Sequence, residues 1–258
     1  MMDLIKHDVV HYWARRADDF EKQRMREMRS AKRERWLHEI RRYLPGKAPE
    51  SRVPERGVPG NGKLRVLDLG TGTGFFAFLM AEEGHEVTGI DLTPEMIGGA
   101  RHTAQLLGQD VRFEVMDAER PRFAPESFDV LLTRNLTWTL PHMERAYRSW
   151  YELLSPGGVL INFDADYCRA ADEDEAQELP ENHAHKMLSE EMRQESDSIM
   201  MELSAYQLAR PQWDVQLMVE AGFERISVDM GVYRRIYREI DEFYNPTPIF
   251  ALAAYKSV

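Results

Sequence analysis

From Asp8 to Tyr43 the apolar and aromatic positions Val9, Tyr12, Trp13, Phe20, Trp36, Leu37 and Ile40, with Leu44 just beyond, recur at helical spacing without an intervening glycine or proline. That spacing predicts two amphipathic helices. Pro45 to Lys63 is rich in proline, glycine and charge and reads as a linker. A regular alternation of short apolar runs and helical patterns follows. Leu64 to Leu69 reads as a buried strand, and Phe75 to Ala81 as an apolar helix ended by Gly84. Glu86 to Asp91 is a second strand, and Thr93 caps a helix with Pro94 at its first position that runs to about Leu107 and stops at Gly108. Val111 to Met116 and Phe128 to Thr133 make two further strands, a helix begins near Pro141, and Val159 to Phe163 makes a fifth strand. From about 170 to 208 the chain is acidic, rich in methionine and helical in pattern. Trp213 to Ala221 is a helix, and Ile226 to Tyr233 and Ile249 to Tyr255 read as an antiparallel pair. The expected architecture is α/β. It has a doubly wound seven-stranded sheet, mostly parallel with an antiparallel C-terminal strand, over residues 64–258. A helical cap (1–45), a linker (46–63) and a helical insert after the fifth strand (about 170–208) complete it.

Chemistry concentrates where the first strand turns into its helix, at Asp68-Leu69-Gly70-Thr71-Gly72-Thr73-Gly74. The glycines permit positive φ and remove Cβ atoms that would hold a ligand off the backbone. The helix behind them offers unpaired N–H groups to an anionic group. Asp91 ends the second strand, where a carboxylate can accept both hydroxyls of a ribose, a feature shared with NAD-binding folds. The dinucleotide fingerprint, however, requires its third glycine where this chain has Phe75.

Asp68-x-Gly-x-Gly-x-Gly, Asp91, Asp117 at the end of the third strand and Leu154-Ser155-Pro156-Gly157-Gly158 before the fifth closely resemble the class I S-adenosylmethionine-dependent methyltransferases. The resemblance covers about two-thirds of the chain and implies a Rossmann-like sheet with S-adenosyl-L-methionine as cofactor. It implies that the backbone of Gly70, Thr71, Gly72 and Gly74 receives the methionyl moiety, while Asp68 orients the loop or accepts from the cofactor ammonium. Asp91, with Leu92 beside it, would hold the ribose, and Asp117 and Ala118 the adenine. Asn135 lies at the carboxyl end of the fourth strand, where ligands of open parallel sheets bind. Methyltransferases acting on planar amines of DNA bases or glutamine tend to continue there with two prolines and an aromatic. This chain reads Asn135-Leu136-Thr137-Trp138, which counts against such acceptors.

Transfer of a methyl group from a sulfonium is an in-line displacement that needs positioning more than a nucleophile on the protein. An acceptor that must lose a proton also needs a base, and Asp164, Tyr12 and His11 are the candidates. His183-Ala184-His185 places two imidazoles on different sides of a helix, so no metal site is expected.

The 258 residues carry a formal net charge of −11, which leans towards a small-molecule acceptor rather than nucleic acid. A basic stretch from Lys22 to Arg42 opposes the acidic residues 172–175 and keeps an RNA methyltransferase as an alternative. An NAD-dependent oxidoreductase and a non-catalytic nucleotide-binding protein are the others. A single cysteine, Cys168, argues against a disulfide framework, and no run of about 20 apolar residues suggests a membrane span. A soluble cytoplasmic protein is expected, with its oligomeric state left open.

Overall fold

The computed structural model describes residues 4–45, 62–167, 179–184, 186–203 and 208–258. Seven strands form one sheet: β1 (Arg65–Leu69), β2 (Glu86–Asp91), β3 (Arg112–Val115), β4 (Phe128–Arg134), β5 (Leu154–Ala165), β6 (Arg225–Asp229) and β7 (Ile249–Tyr255). Their order is β3-β2-β1-β4-β5-β7-β6. Strands β1 to β5 pair in parallel, and β7 runs antiparallel to both β5 and β6. The order reverses between β1 and β4, so the carboxyl ends of those strands open a crevice between the connections leaving them.

Helices α3 (Phe75–Glu82), α4 (Pro94–Leu107) and α5 (Met143–Leu153) provide crossovers, and both sheet faces are buried. This is why the central strands read as unbroken apolar runs. Val66, Val130, Leu132, Ile161 and Phe163 pack on one face with α3. Leu67, Leu131 and Leu160 pack on the other with Tyr147 and Trp150 of α5 and Leu217 and Met218 of α7 (Gln212–Ala221). At Gly158 a Cβ would lie 2.9 Å from the carbonyl oxygens of Asp129 and Ser155, which accounts for a glycine where β5 bends into register with β4.

The N-terminal section is α1 (Leu4–Met28) and α2 (Ala31–Arg41), separated where Ser30 caps α2 by accepting from the Lys32 backbone N–H. α2 belongs to the core. Its Trp36 is wholly buried, with its ring edge-on to Phe76, Phe163 and Tyr237 at centroid distances of 5.3, 5.3 and 6.3 Å. α1 packs across α4, where Glu21 accepts from Thr103 Oγ1 and meets His102 Nδ1 at 2.7 Å. In the insert, α6 (Glu190–Glu202) starts at Ser189, whose hydroxyl accepts from the Met192 N–H, and packs on α1.

One predicted strand is corrected. Ile226 to Tyr233 is not continuous: β6 ends at Asp229, and after Gly231 the chain forms the short helix α8 (Val232–Ile236). Val232 and Ile236 are buried one turn apart, and Arg235 pairs with Glu39 of α2 and with Asp229, so tertiary contacts override the β-branched composition. The helix expected from Pro141 begins at Met143. Most of the linker, the acidic run 172–175, Cys168 and His185 lie outside the described residues.

Candidate active site

The glycine loop closes β1 onto α3 with Gly70, Gly72 and Gly74 at φ of 63°, 53° and 93°. These are left-handed conformations that side chains rarely tolerate. A Cβ at Gly70 would also sit 2.7 Å from Leu136, and one at Gly72 would approach Phe20 of α1 at 3.2 Å. Asp68, buried at the end of β1, accepts from Thr71 Oγ1 at 2.7 Å and from the Ala77 N–H at 3.0 Å, binding the loop to the first turn of α3. Burial pushes its carboxyl up to about 7, against those hydrogen bonds and with help from the Asp91 charge.

Asp91 accepts from the Gly72 N–H at 3.0 Å and the Thr93 N–H at 2.9 Å, joining the end of β2 to the glycine loop. Burial raises its carboxyl above the ordinary range. Asp117, beyond β3, accepts from Lys6 Nζ at 2.7 Å, and the same ammonium reaches the buried Glu119 at 2.6 Å. Trp150 Nε1 donates to the Ala118 carbonyl at 2.8 Å, fixing the backbone beside Asp117. Asp68, Asp91, Asp117 and Ala118, with Gly70, Thr71, Gly72 and Leu92, line one cavity of about 1260 Å³ beneath α1. Gly74 stands behind the loop as the residue before α3.

The other half of the cavity lies past the switch point. Asn135 follows β4 at φ 55°, a conformation Asn accommodates more readily than most residues. Asn245 Nδ2 donates to the Tyr167 hydroxyl at 2.7 Å, and Tyr167 donates to Asn135 Oδ1 at 3.0 Å, linking the ends of β4 and β5 to the segment before β7. Trp138 stands 5.3 Å from the Tyr167 ring. Tyr12 of α1 also lines the cavity, and its hydroxyl accepts from Arg16 at 3.0 Å.

Two candidate bases lie elsewhere. His11 is on the outer side of α1, with its side chain 59% exposed and Nδ1 3.4 Å from Glu195. It is the helical neighbour of Tyr12, and adjacent residues on a helix face different ways. Asp164 is fully buried away from the cavity lining, where it accepts from Thr137 Oγ1 at 2.5 Å and the Trp138 N–H at 3.1 Å beside Arg210. Strand alternation turns Asp164 to the α5 side of the sheet, so it buttresses the loop after β4. His183 donates from Nε2 to the Tyr244 carbonyl at 2.7 Å, pinning the insert to the segment before β7.

Sequence reasoning missed the charged unit formed by Arg24, Glu27 and Arg134. Glu27 is completely buried on α1 and receives both guanidiniums and Trp36 Nε1. Burial, the largest influence, would raise its carboxyl, but Arg134 and Arg24 together hold it at about 2. Arg134 lies with its guanidinium carbon 4.3 Å from the Trp36 ring centroid. A lone arginine closing an apolar strand was the available signal. Lys6 was missed because α1 reads as mostly polar, and Glu119 because it sits in a charged loop after β3.

Comparison with known proteins now bears on this geometry. The sequence profile of a methyltransferase domain matches residues 61–224, from the approach to β1 to the turn before β6. The chain belongs to the class I S-adenosylmethionine-dependent methyltransferases. Among similar methyltransferases is phosphoethanolamine N-methyltransferase 1 of Arabidopsis thaliana, 39% identical over 108 residues, 41% of this chain and 21% of that protein. Demethylmenaquinone methyltransferase of Thermus thermophilus is 37% identical over 99 residues, 38% of this chain and 45% of the relative. The chain thus spans about a fifth of the length of the plant relatives it matches. A methyltransferase structure from Thermotoga maritima, described as a possible histamine N-methyltransferase, superposes with a TM-score of 0.58 at 20% identity over 96% of this chain and 99% of that one. Phosphoethanolamine N-methyltransferase 2 of Haemonchus contortus, in complex with S-adenosyl-L-methionine, superposes with a TM-score of 0.54 at 20% identity, over 88% and 56% of the chains. Those two likenesses establish the shared fold. The donor set of this methyltransferase fits its family's cofactor. Carboxylates stand at three adjacent strand ends, and the loop backbone is kept clear of side chains where a Cβ would intrude.

Proposed function

We propose that this methyltransferase methylates a small organic acceptor held between the ends of β4 and β5 and the segment before β7, and that it works mainly by positioning. The observation supporting this is the two-sided cavity. Asp68, Asp91 and Asp117 line one side of the switch point, Trp138, Tyr167 and Tyr244 line the other, and α1 and α6 both contribute to its lining. When bound, S-adenosylmethionine supplies an electrophilic methyl together with its own leaving group. Orientation of two reactants can contribute on the order of 7–11 kcal/mol without a nucleophile on the protein.

In this reading the glycine loop and Asp68 receive the methionyl end, Asp91 the ribose, and Asp117 with Ala118 the adenine. Asn135, held by Tyr167, borders both halves. Tyr12 is the base candidate that lines the cavity, and its hydroxyl is held by the Arg16 guanidinium. Several cations of the basic stretch are engaged in ion pairs, Arg26 with Glu242, Lys32 with Asp241, Arg35 with Glu239 and Arg41 with Glu83, which favours a small acceptor over RNA.

Thermal unfolding tests the reading. S-adenosylhomocysteine at a hundred times its dissociation constant should add about 2.7 kcal/mol, roughly 5–10 °C in a chain of this size, while NAD adds nothing. A shift with NAD and none with S-adenosylhomocysteine would overturn it. Asp68 adds a pH signature. Its carboxyl is neutral below about 7 in the free protein, and a cofactor ammonium favours the charged form. Affinity should therefore rise with pH up to about 7, by at most about tenfold per unit, and then level off. Calorimetry between pH 5.5 and 8 reads this, and Asp68→Asn should flatten the profile. An unchanged slope in that variant would remove Asp68 from the role.

A further inference from the structure

We infer that Arg24 and Arg134 form the receptor for the carboxylate of the cofactor's methionyl end, held apart and oriented by Glu27. This rests on the cofactor reading above. The starting point is charge. Two guanidiniums share one carboxylate, so the Arg24–Glu27–Arg134 unit carries one positive charge more than it pairs internally. Their side chains are only 13% and 10% exposed, and that of Glu27 is fully buried. Excess charge in such a place is unfavourable in the free protein and becomes favourable only opposite an anion. Arg134 also has its Nε buried without a hydrogen-bond partner among the described residues, leaving donor capacity on the fork. The strain is felt by Arg24, whose guanidinium is pushed below its ordinary range by burial and by Arg134.

Position identifies the anion. Arg134 lies 5.2 Å from the ring centroid of Phe75, the residue immediately after Gly74. Arg24 lies 4.4 Å from the centroid of Phe20, the ring that a Cβ on Gly72 would meet. The excess charge thus stands against the glycine loop, remote from the adenine end where Lys6 is committed to Asp117 and Glu119. The loop already has an acidic partner for an ammonium in Asp68. An amino-acid moiety placed there would set its ammonium towards Asp68 and its carboxylate towards the arginine pair, whose planar forks suit a carboxylate.

Arg24→Gln is the informative variant. It leaves Glu27 paired one to one with Arg134, so the ligand-free protein should unfold at the wild-type temperature or above it. Calorimetry is then run with S-adenosylhomocysteine and with 5′-methylthioadenosine, which keeps the nucleoside and thioether but lacks the amino acid. Affinity for S-adenosylhomocysteine should fall at least tenfold, and affinity for 5′-methylthioadenosine should not change. Equal losses for both ligands would mean that Arg24 only shapes the helix. No loss for either would assign the excess charge elsewhere. Both results overturn the inference while leaving the cofactor reading intact. Wild-type protein that binds neither ligand would instead overturn that reading, and this inference with it.

Discussion

Replacing Asp91 with alanine should weaken S-adenosylhomocysteine binding by at least about a hundredfold. Its carboxylate already accepts from the Gly72 and Thr93 N–H groups and lines the cavity. An ionised carboxylate has about four acceptor positions, so two are left for a pair of vicinal hydroxyls. Each hydrogen bond to a charged group contributes about 1.5–3 kcal/mol, and losing two exceeds a hundredfold in affinity. The variant also frees the Gly72 N–H, loosening a loop held at φ 53°. Asp91→Asn keeps one acceptor oxygen and should fall between the two. Calorimetric titration checks both, and a loss under about tenfold for the alanine variant would show that the ribose is held elsewhere.

The largest effect on stability is expected at Glu27. Its replacement by alanine leaves Arg24 and Arg134 facing each other in a buried site, at a cost of about 3–5 kcal/mol. In a chain of this length that lowers the unfolding temperature by roughly 10 °C. The two effects should be coupled. Adding Arg24→Ala to Glu27→Ala removes one of the opposed charges, so the double variant should be less destabilised than the sum of the singles. Additivity would mean that the three side chains do not act as a unit. The pH dependence has a defined sign. With its carboxyl held at about 2 in the folded state, below the ordinary value of 4.5, Glu27 contributes stability that is fully present above about 4.5 and is lost as pH falls towards 2. Glu27→Ala should therefore narrow the stability gap between pH 3 and pH 6.

The sheet and one wall of the cavity were legible in the sequence because burial on both faces writes strands as apolar runs. A carboxylate at such a run's end then stands out, as Asp68, Asp91 and Asp117 do. Asp164 shows where this stops working. Its position at a strand end was readable, but the face it would turn to was fixed by pairing with β4 and β7. His11 failed for a similar reason, since the phase of α1 against the sheet depends on which residues it meets there. Lys6, Arg24 and Glu27 resemble an ordinary solvated helix face, and only packing against Arg134, Trp36 and the loop after β3 reveals them as interior charges. Beyond β6, the helical turn of Val232 and Ile236 arises from contacts with α2 that no local pattern encodes.

α1 has 25 residues and so extends for about 37 Å as one rod. It is fastened near its start by Lys6 to the loop after β3 and near its end by Glu27 to the tip of β4. A ligand lying along the sheet edge would have both of its ends beneath this one helix. Cutting either buried ion pair should therefore loosen that cover at one end and leave the other end in place.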